Sequence, residues 1–144
     1  MNLSELIPIG AAHSESLRVT HELTVQARVP ELPAVYSTPN MILLMEIACT
    51  NLLKRYLPAG WVSVGTLVNV KHLAATPVGF DVTATAKVAE ISKSQVTFEV
   101  EAHDGIDKIG AGLHARAPIE FARFEQGVAK KAATFNGVQP PFLG

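Results

Sequence analysis

Residues 38–56 read TPNMILLMEIACTNLLKRY, and this stretch predicts the central helix on which the fold is built. Thr38 is expected to cap the helix, because threonine is a good N-cap and the proline that follows it suits the first turn. The helix is expected to end near Tyr56, since a proline and a glycine come soon afterwards. Its first half is apolar on every side except at Glu46. A helix of that kind is buried on most sides.

Five stretches of alternating apolar and polar residues predict strands around this helix. The first, residues 17–29, precedes the helix and is expected to be a half-buried strand. Four strands joined by hairpins are expected after it. The faces expected to point inward are Val62, Val64, Thr66, Val68, Val70 and His72; Phe80, Val82, Ala84, Ala86 and Val88; Val96, Phe98, Val100 and Ala102; and Ile109, Ala111, Leu113, Ala115, Ala117, Ile119 and Phe121. One long helix packed on a five-stranded antiparallel sheet is an α+β arrangement.

The length of 144 residues suits one domain, and 48% hydrophobic residues suffice for a packed core. We place this single domain at residues 1–124. From residue 125 to 144 the chain mixes lysine, glycine, proline and alanine without a period, which predicts a loosely ordered C-terminal tail. Both edges of a five-stranded sheet are exposed in a monomer, and this favours pairing between subunits.

Charge and composition argue against several classes of protein. The net charge is −1 and the lysines and arginines are scattered, so a nucleic-acid partner is not expected. The apolar runs are too short for a membrane span, and the first ten residues lack the basic start of a secretory signal. The single cysteine, Cys49, cannot form an internal disulfide, which favours a cytoplasmic location. The chain has neither paired cysteines nor a His-Glu-x-x-His motif, so neither a metal nor a cofactor is expected.

Glu46 is the first candidate for chemistry, because eight apolar residues surround it in the first half of the helix. An ionised carboxylate is costly to bury unless it is paired or hydrogen-bonded. Glu46 is therefore either a structural residue tied to a buried N–H or a cation, or a working carboxylate at a pocket. The pattern leaves both interpretations open.

His72 is the second candidate, because it continues the apolar face of its strand and lies where that strand meets a loop. A core histidine fits the same pattern. Thr38 is explained by its cap alone. His114 and Arg116 fall on the polar face of the last strand, where a solvated position is expected. Gly65 interrupts a strand, which marks a bulge or a close approach by a ligand.

Three ordered blocks resemble the family of the fluoroacetyl-CoA thioesterase, within the hot-dog thioesterases. The blocks are TPNMILLMEIAC at 38–49, VGTLVNVKHLAATPVG at 64–79 and AHDGIDKIGAGLHAR at 102–116, and the likeness covers roughly residues 17–124. The resemblance implies a hot-dog fold and hydrolysis of a short-chain acyl-CoA thioester to the free acid and CoA. It also implies a homodimer that works without a metal or cofactor.

The resemblance implies which residues form the site. Its catalytic trio corresponds to Thr38, Glu46 and His72, its acyl-site glycine to Gly65, and its substrate-binding arginine to Arg116. Glu46 is then the nucleophile or the base that activates water, His72 its acid/base partner, and Thr38 the group that orients the carboxylate. Thr38 and Glu46 lie about 12 Å apart along one helix, so we expect a homodimer whose sites draw on both chains.

One departure concerns the acyl pocket. The fluoroacetyl enzyme closes its pocket with a phenylalanine lid in the loop before the helix, whereas this chain has Val29 and Leu32 there. Both are counted as substrate-binding, and little preference for fluoroacetyl-CoA over acetyl-CoA is expected. Two other functions stay open: a hot-dog hydratase or dehydratase, and a non-catalytic acyl-CoA binding module.

Overall fold

The computed structural model describes residues 1–135, in which one long helix packs on a five-stranded antiparallel sheet, as predicted. In chain order the elements are α1 (Leu3–Leu6), β1 (Ala12–Arg18), two 3-10 turns (His21–Leu23 and Val25–Ala27), α2 (Thr38–Lys54), β2 (Trp61–His72), β3 (Asp81–Ile91), β4 (Val96–His103), β5 (Lys108–Glu120) and α3 (Phe121–Phe135). The strand order across the sheet is β1-β3-β4-β5-β2. Among the helices of the described residues, none is long and apolar enough to cross a bilayer.

Hairpins join β3 to β4 and β4 to β5, as predicted, but β2 is an exception. It pairs with β5 at the edge of the sheet, so the chain crosses from one edge region to the other between β2 and β3. The connecting residues 73–80 are too many for a tight two-residue hairpin turn. Within them, the buried Thr76 hydroxyl donates a 2.8 Å hydrogen bond to the Asp104 carboxylate in the β4–β5 turn. The crossover is thus fixed to the end of the sheet.

Helix α2 is present as predicted, with its cap shifted by one residue. Ser37 is the N-cap, and its hydroxyl accepts a hydrogen bond from the backbone N–H of Asn40. Thr38 is the first helical residue, so its side chain is free for another role. The face packed on the sheet is fully apolar and comprises Met41, Leu44, Met45, Ala48, Cys49, Leu52 and Leu53. The helix is less buried than predicted, because Leu43 and Ile47 are 51% and 40% exposed in the single chain.

The inward faces of β3 and β4 are those predicted, and eight of their side chains form the floor of the core. These are Val82, Ala84, Ala86, Val88, Val96, Phe98, Val100 and Ala102. In β5 the prediction that Ile109 lies inside is correct, because this residue is fully buried in the core next to a register shift with β4. Beyond Ile109 the alternation was predicted correctly but assigned to the wrong side. Gly110 faces α2 so closely that a Cβ atom there would lie 2.6 Å from the sulfur of Met41. Leu113, which was expected inside, is 40% exposed.

Strand β2 contains a bulge that changes which residues face the helix. The pairing with β5 shifts between Gly65 and Leu67. Gly65 and His72 lie seven positions apart, a spacing that places residues of a regular strand on opposite faces. Both nevertheless approach side chains of α2. Of the two alternatives for Gly65, a bulge or a close approach by a ligand, the structure shows the bulge. The predicted inward face is wrong upstream of it, where Val62 is exposed.

The first strand was predicted at residues 17–29 and lies at Ala12–Arg18. The alternating residues beyond it form the two 3-10 turns instead. The Thr24 hydroxyl donates a 2.6 Å hydrogen bond to the carbonyl of His21. Such a local side-chain bond competes with strand pairing and favours a turn.

The predicted C-terminal tail also needs correction over its first part. Phe121–Phe135 is a helix, although all of its side chains are exposed. Alanine, lysine, arginine, glutamate and glutamine fill most of it, and these residues favour helix even without packing. The rest of the predicted tail, residues 136–144, lies outside the described residues, and the division at residue 124 stays a prediction.

Candidate active site

Thr38 and His72 form a hydrogen-bonded pair between the start of α2 and the end of β2. The Thr38 Oγ1 and the His72 Nδ1 are 2.7 Å apart. Both side chains line a cavity of about 510 Å³, which lies beside the first turn of the helix. Its wall consists of Val25, Val35, Tyr36, Ser37, Thr38, Pro39, His72, Leu73, Ala74 and Ala75. The sequence had assigned Thr38 to a cap, and the cap at Ser37 leaves its hydroxyl available for this contact.

The imidazole of His72 favours its neutral form. Burial lowers the pKa of His72 below its usual value, and the backbone carbonyl of Ala74 opposes that shift only in part. Within residues 1–135 no hydrogen-bond partner reaches the buried Nε2 atom. A neutral ring with Nδ1 beside a hydroxyl can accept a hydrogen bond from it or donate one to it. The pair is thus suited to moving a proton at the cavity wall.

Glu46 belongs to a second group of side chains, centred on Arg116. The Glu46 Oε2 lies 3.4 Å from the Arg116 Nη1, and 35% of the Glu46 side chain is exposed. Arg116 also donates from Nε to the Ser63 hydroxyl and from Nη2 to the Ser63 carbonyl, both at 2.8 Å. Its fourth contact is a 3.1 Å hydrogen bond from Nη1 to the Nε2 atom of His114. The result is a carboxylate held by one long contact to a firmly fixed guanidinium.

Gly65 leaves room for this second group, because it has no side chain to contact Glu46, His114 or Arg116. A Cβ atom at this position would lie 3.3 Å from the Glu46 Oε2, 3.2 Å from the His114 ring and 3.5 Å from the Arg116 Nη1. The distances to Glu46 and His114 are tighter than ordinary contacts, so a side chain would displace the carboxylate. The glycine lies directly before the bulge of β2, which turns its Cα towards α2.

His114 and Arg116 were expected to be solvated, and this expectation is wrong. They are 2% and 6% exposed, on the helix-facing side of β5. One signal in the sequence could have located them. They share the alternation of Gly110 and Gly112, and glycines in a strand mark a face that something approaches closely.

Within one chain the predicted trio divides into two groups. Thr38 and His72 meet, whereas Glu46 lies eight residues further along the continuous helix α2, about 12 Å away in axial distance. The two predicted lid residues, Val29 and Leu32, are each 41% exposed. Val25 and Val35 line the cavity from that same segment.

Residues 19–122 match the model of the family described as Fluoroacetyl-CoA-specific thioesterase. The chain belongs to this family. The fluoroacetyl-CoA thioesterase of Streptantibioticus cattleyicolor is 40% identical over 113 residues, which cover 78% of this chain and 81% of the relative. The family assignment makes this chain a thioester hydrolase.

Solved structures agree with this family and with the fold. A structure of the fluoroacetyl-CoA thioesterase, determined to explain its activity and substrate specificity, is 37% identical. It matches 87% of this chain and 97% of its own with a TM-score of 0.82. A hot-dog-like protein from Thermanaerovibrio acidaminovorans is 29% identical, matches 91% of this chain and 97% of its own, and has a TM-score of 0.84. The predicted hot-dog fold is confirmed.

Proposed function

We propose that this protein hydrolyses a short-chain acyl-CoA thioester to the free acid and CoA. The observation that carries the proposal is the Thr38–His72 hydrogen bond at the wall of a cavity, in a chain 40% identical to a fluoroacetyl-CoA thioesterase. The acyl group enters this cavity, and Gly65 and Arg116, which lie beside Glu46 and outside the cavity wall, contribute to its binding from the other chain of the dimer proposed below. The cytoplasmic location predicted from the single cysteine stays a prediction.

In the proposed mechanism Glu46 is the nucleophile or the general base. As a nucleophile, its carboxylate attacks the acyl carbon, the carbon–sulfur bond breaks, and CoA leaves as a thiolate that takes up a proton. Water then cleaves the mixed anhydride and regenerates Glu46. As a base, Glu46 takes a proton from the water that attacks the thioester directly. His72 transfers the proton, and the Thr38 hydroxyl orients the reacting groups.

The proposed working unit is a homodimer in which Glu46 of one chain reaches the Thr38–His72 pair of the other. Three observations support it. Leu43, Glu46 and Ile47 lie at helix positions i, i+3 and i+4 and therefore share one face of α2. On that face Leu43 and Ile47 are exposed, as is Val68 of the neighbouring edge strand β2. A second copy that covers these apolar side chains buries them and joins the two groups of residues.

Complementation between two inactive variants tests this arrangement. We expect Glu46→Gln and His72→Ala each to lower kcat by roughly 100-fold or more, because each removes a group that transfers a proton or forms a bond. When the two proteins are unfolded together and refolded in equal amounts, half of the dimers are mixed and each mixed dimer has one intact site. About a quarter of the wild-type activity should therefore return.

The matched control is a mixture of Thr38→Val with His72→Ala. These two residues belong to the same chain's half of the site, so no activity should return in this mixture. Equal recovery in both mixtures, or a monomer at micromolar concentration, would contradict the shared site. Near wild-type turnover in Glu46→Gln would contradict the mechanism itself.

Acyl selectivity follows from the residues at the lid. Because Val29 and Leu32 stand where the fluoroacetyl enzyme has a phenylalanine lid, we propose little preference for fluoroacetyl-CoA over acetyl-CoA. Thiol release from a series of acyl-CoA substrates measures this preference, and a preference of several orders of magnitude would contradict it. Hydration of crotonyl-CoA without thiol release would indicate a hydratase instead.

A further inference from the structure

His114 has a role that depends on the protonation of its two ring nitrogens. Its Nδ1 lies 2.8 Å from the carbonyl oxygen of Leu67, and a carbonyl only accepts, so Nδ1 carries the hydrogen. Its Nε2 faces the Arg116 guanidinium, which only donates, so Nε2 is the acceptor. These two partners fix one neutral form of the ring. Burial also lowers the pKa of His114, the hydrogen bond to the Leu67 carbonyl opposes that shift in part, and the positive charge of Arg116 adds to it.

The neutral His114 ring limits how Arg116 can hydrogen-bond to Glu46, because both contact the same guanidinium nitrogen. Ser63 occupies the Nε and Nη2 groups of the guanidinium, and Nη1 is shared between His114 at 3.1 Å and Glu46 at 3.4 Å. Strong arginine–carboxylate pairs have two parallel bonds at about 2.7–2.9 Å. The contact to Glu46 is therefore both single and long. A tighter pair would stabilise the carboxylate anion and make it a weaker nucleophile and base.

The remaining surroundings of this group supply no competing charge. Cys49 is buried below it, and burial raises the pKa of its thiol to about 12, so the thiol stays neutral. On β4 the residues paired with Arg116 and His114 are Val96 and Phe98, both apolar and fully buried. Among the described residues, His114 is the group that shares Arg116 Nη1 with Glu46.

We propose that His114 is a positioning residue that acts through Arg116. By accepting a hydrogen bond from Nη1, it keeps the guanidinium from closing on Glu46 and leaves the carboxylate reactive. This inference rests on the proposed function, because it requires Glu46 to perform the chemistry. His114 itself touches neither the substrate nor the reacting atoms.

Substitutions that keep or remove the acceptor test this role. His114→Phe keeps a planar ring and removes both hydrogen bonds. We expect it to lower kcat roughly 10- to 100-fold, as displaced catalytic groups do, with KM within about threefold of wild type. His114→Gln restores an acceptor near the position of Nε2, and most of the turnover should return. In His114→Asn the shorter side chain reaches the Leu67 carbonyl but not Arg116, so this variant should be as slow as His114→Phe. If His114→Phe does not fold, His114→Asn replaces it in the comparison with His114→Gln.

His103→Phe is the matched control, because His103 has a half-exposed side chain on β4 and lies outside this group. It should leave kcat unchanged. A purely structural role would slow the His114→Gln and His114→Phe variants in proportion to their loss of melting temperature, and equal kcat in the two would overturn the proposal.

A double variant separates this inference from the proposed function. If His114 acts through Glu46, adding His114→Phe to Glu46→Gln should slow the residual reaction no further. A full additional loss would overturn the positioning role while leaving the mechanism intact. Fast turnover by Glu46→Gln alone would instead refute the function on which the inference rests.

Discussion

Arg116 holds a buried positive charge that faces a carboxylate across 3.4 Å rather than in close contact. Removing one partner of a buried charge pair is costly, because the other charge is then left without compensation. Here the cost is limited, since Ser63 and His114 supply three of the four hydrogen bonds to the guanidinium. Glu46 is therefore the partner that the fold needs least. A carboxylate that the fold does not require for stability is available for chemistry.

Gly65→Ala is expected to impair catalysis without unfolding the protein. The new methyl group would lie 3.3 Å from the Glu46 Oε2 and would push the carboxylate by a few tenths of an ångström. We expect kcat to fall about tenfold, because small displacements of a reacting group are expensive in rate. Steady-state kinetics with any accepted acyl-CoA measures the effect, and thermal unfolding shows whether the fold is kept.

Gly127→Ala in α3 is the control for Gly65→Ala, because nothing lies within 4 Å of its added methyl group. It should leave kcat unchanged and stabilise the helix by about 1 kcal/mol at most. If Gly65→Ala had the same kcat as Gly127→Ala, the added methyl group would not displace the Glu46 carboxylate, and the prediction would be wrong.

Side-chain chemistry in the sequence identified some site residues and missed others. Glu46 was found because a charge in an apolar helix is conspicuous, and His72 because it ends an apolar face. The Thr38–His72 contact could not be deduced from spacing, since it joins residues 34 positions apart. Arg116 and His114 looked like surface residues, because the partners that compensate their burial come from β2 and α2.

At the scale of elements, periodicity gave the existence of α2 and of the last four strands, and the structure adds which side is inside. The apolar face of β5 was assigned inward, yet the helix packs over its glycines. Alternation defines two faces of a strand without choosing between them. The choice follows from close packing of α2, with Met41 and Met45 above Gly110.

Alanine at the two glycines of β5 should have unequal costs. At Gly110 the added Cβ meets the flexible end of Met41, which can move, and we expect a loss of about 1 kcal/mol. At Gly112 the Cβ would lie 2.1 Å from the backbone oxygen of Asn69, which cannot move without breaking the β2–β5 pairing. We expect a loss of about 3 kcal/mol or an insoluble protein.

Chemical denaturation of both β5 variants measures this difference. The test lies in which variant loses more stability rather than in the size of either loss. Gly112→Ala should lose more, because its methyl group meets backbone atoms whereas that of Gly110→Ala meets a side chain. If Gly110→Ala proved the more destabilising of the two, the packing of α2 on β5 would be tighter than the distances imply.

At the scale of the whole molecule, the single chain leaves apolar side chains of α2 and β2 exposed beside Glu46. The sequence indicated an apolar helix and unprotected sheet edges, and both point to association of subunits. It could not indicate the crossover that puts β2 at an edge, because pairing between distant strands leaves no local pattern. The proposed dimer depends on that crossover.

Mild acid should destabilise the whole fold. Burial lowers the pKa of both His72 and His114 in the folded chain below 6.5, the value of an ordinary histidine. Between the lowered values and pH 6.5 the unfolded chain therefore binds more protons than the folded chain, so stability rises with pH across that window. The melting temperature should be highest above this window and fall as the pH drops through it.

Thermal unfolding from pH 5 to 8 measures this dependence, with fixed protein concentration because a dimer's stability depends on it. In His114→Gln one of the two groups is gone, so the dependence on pH should be shallower. A melting temperature that rises on acidification from pH 6.5 would contradict the sign.

The bulge in β2 has a consequence for how this strand can change its length. Odd-numbered residues face α2 on one side of the bulge and even-numbered residues on the other, which is why Gly65 and His72 both face the helix, one beside each group of site residues. Deleting one residue between them shortens their separation from seven positions to six, an even spacing that a regular strand accommodates on one face. If the bulge became regular strand with no residue removed, either Gly65 or His72 would point away from the helix. The site therefore tolerates a shorter β2 better than a straighter one.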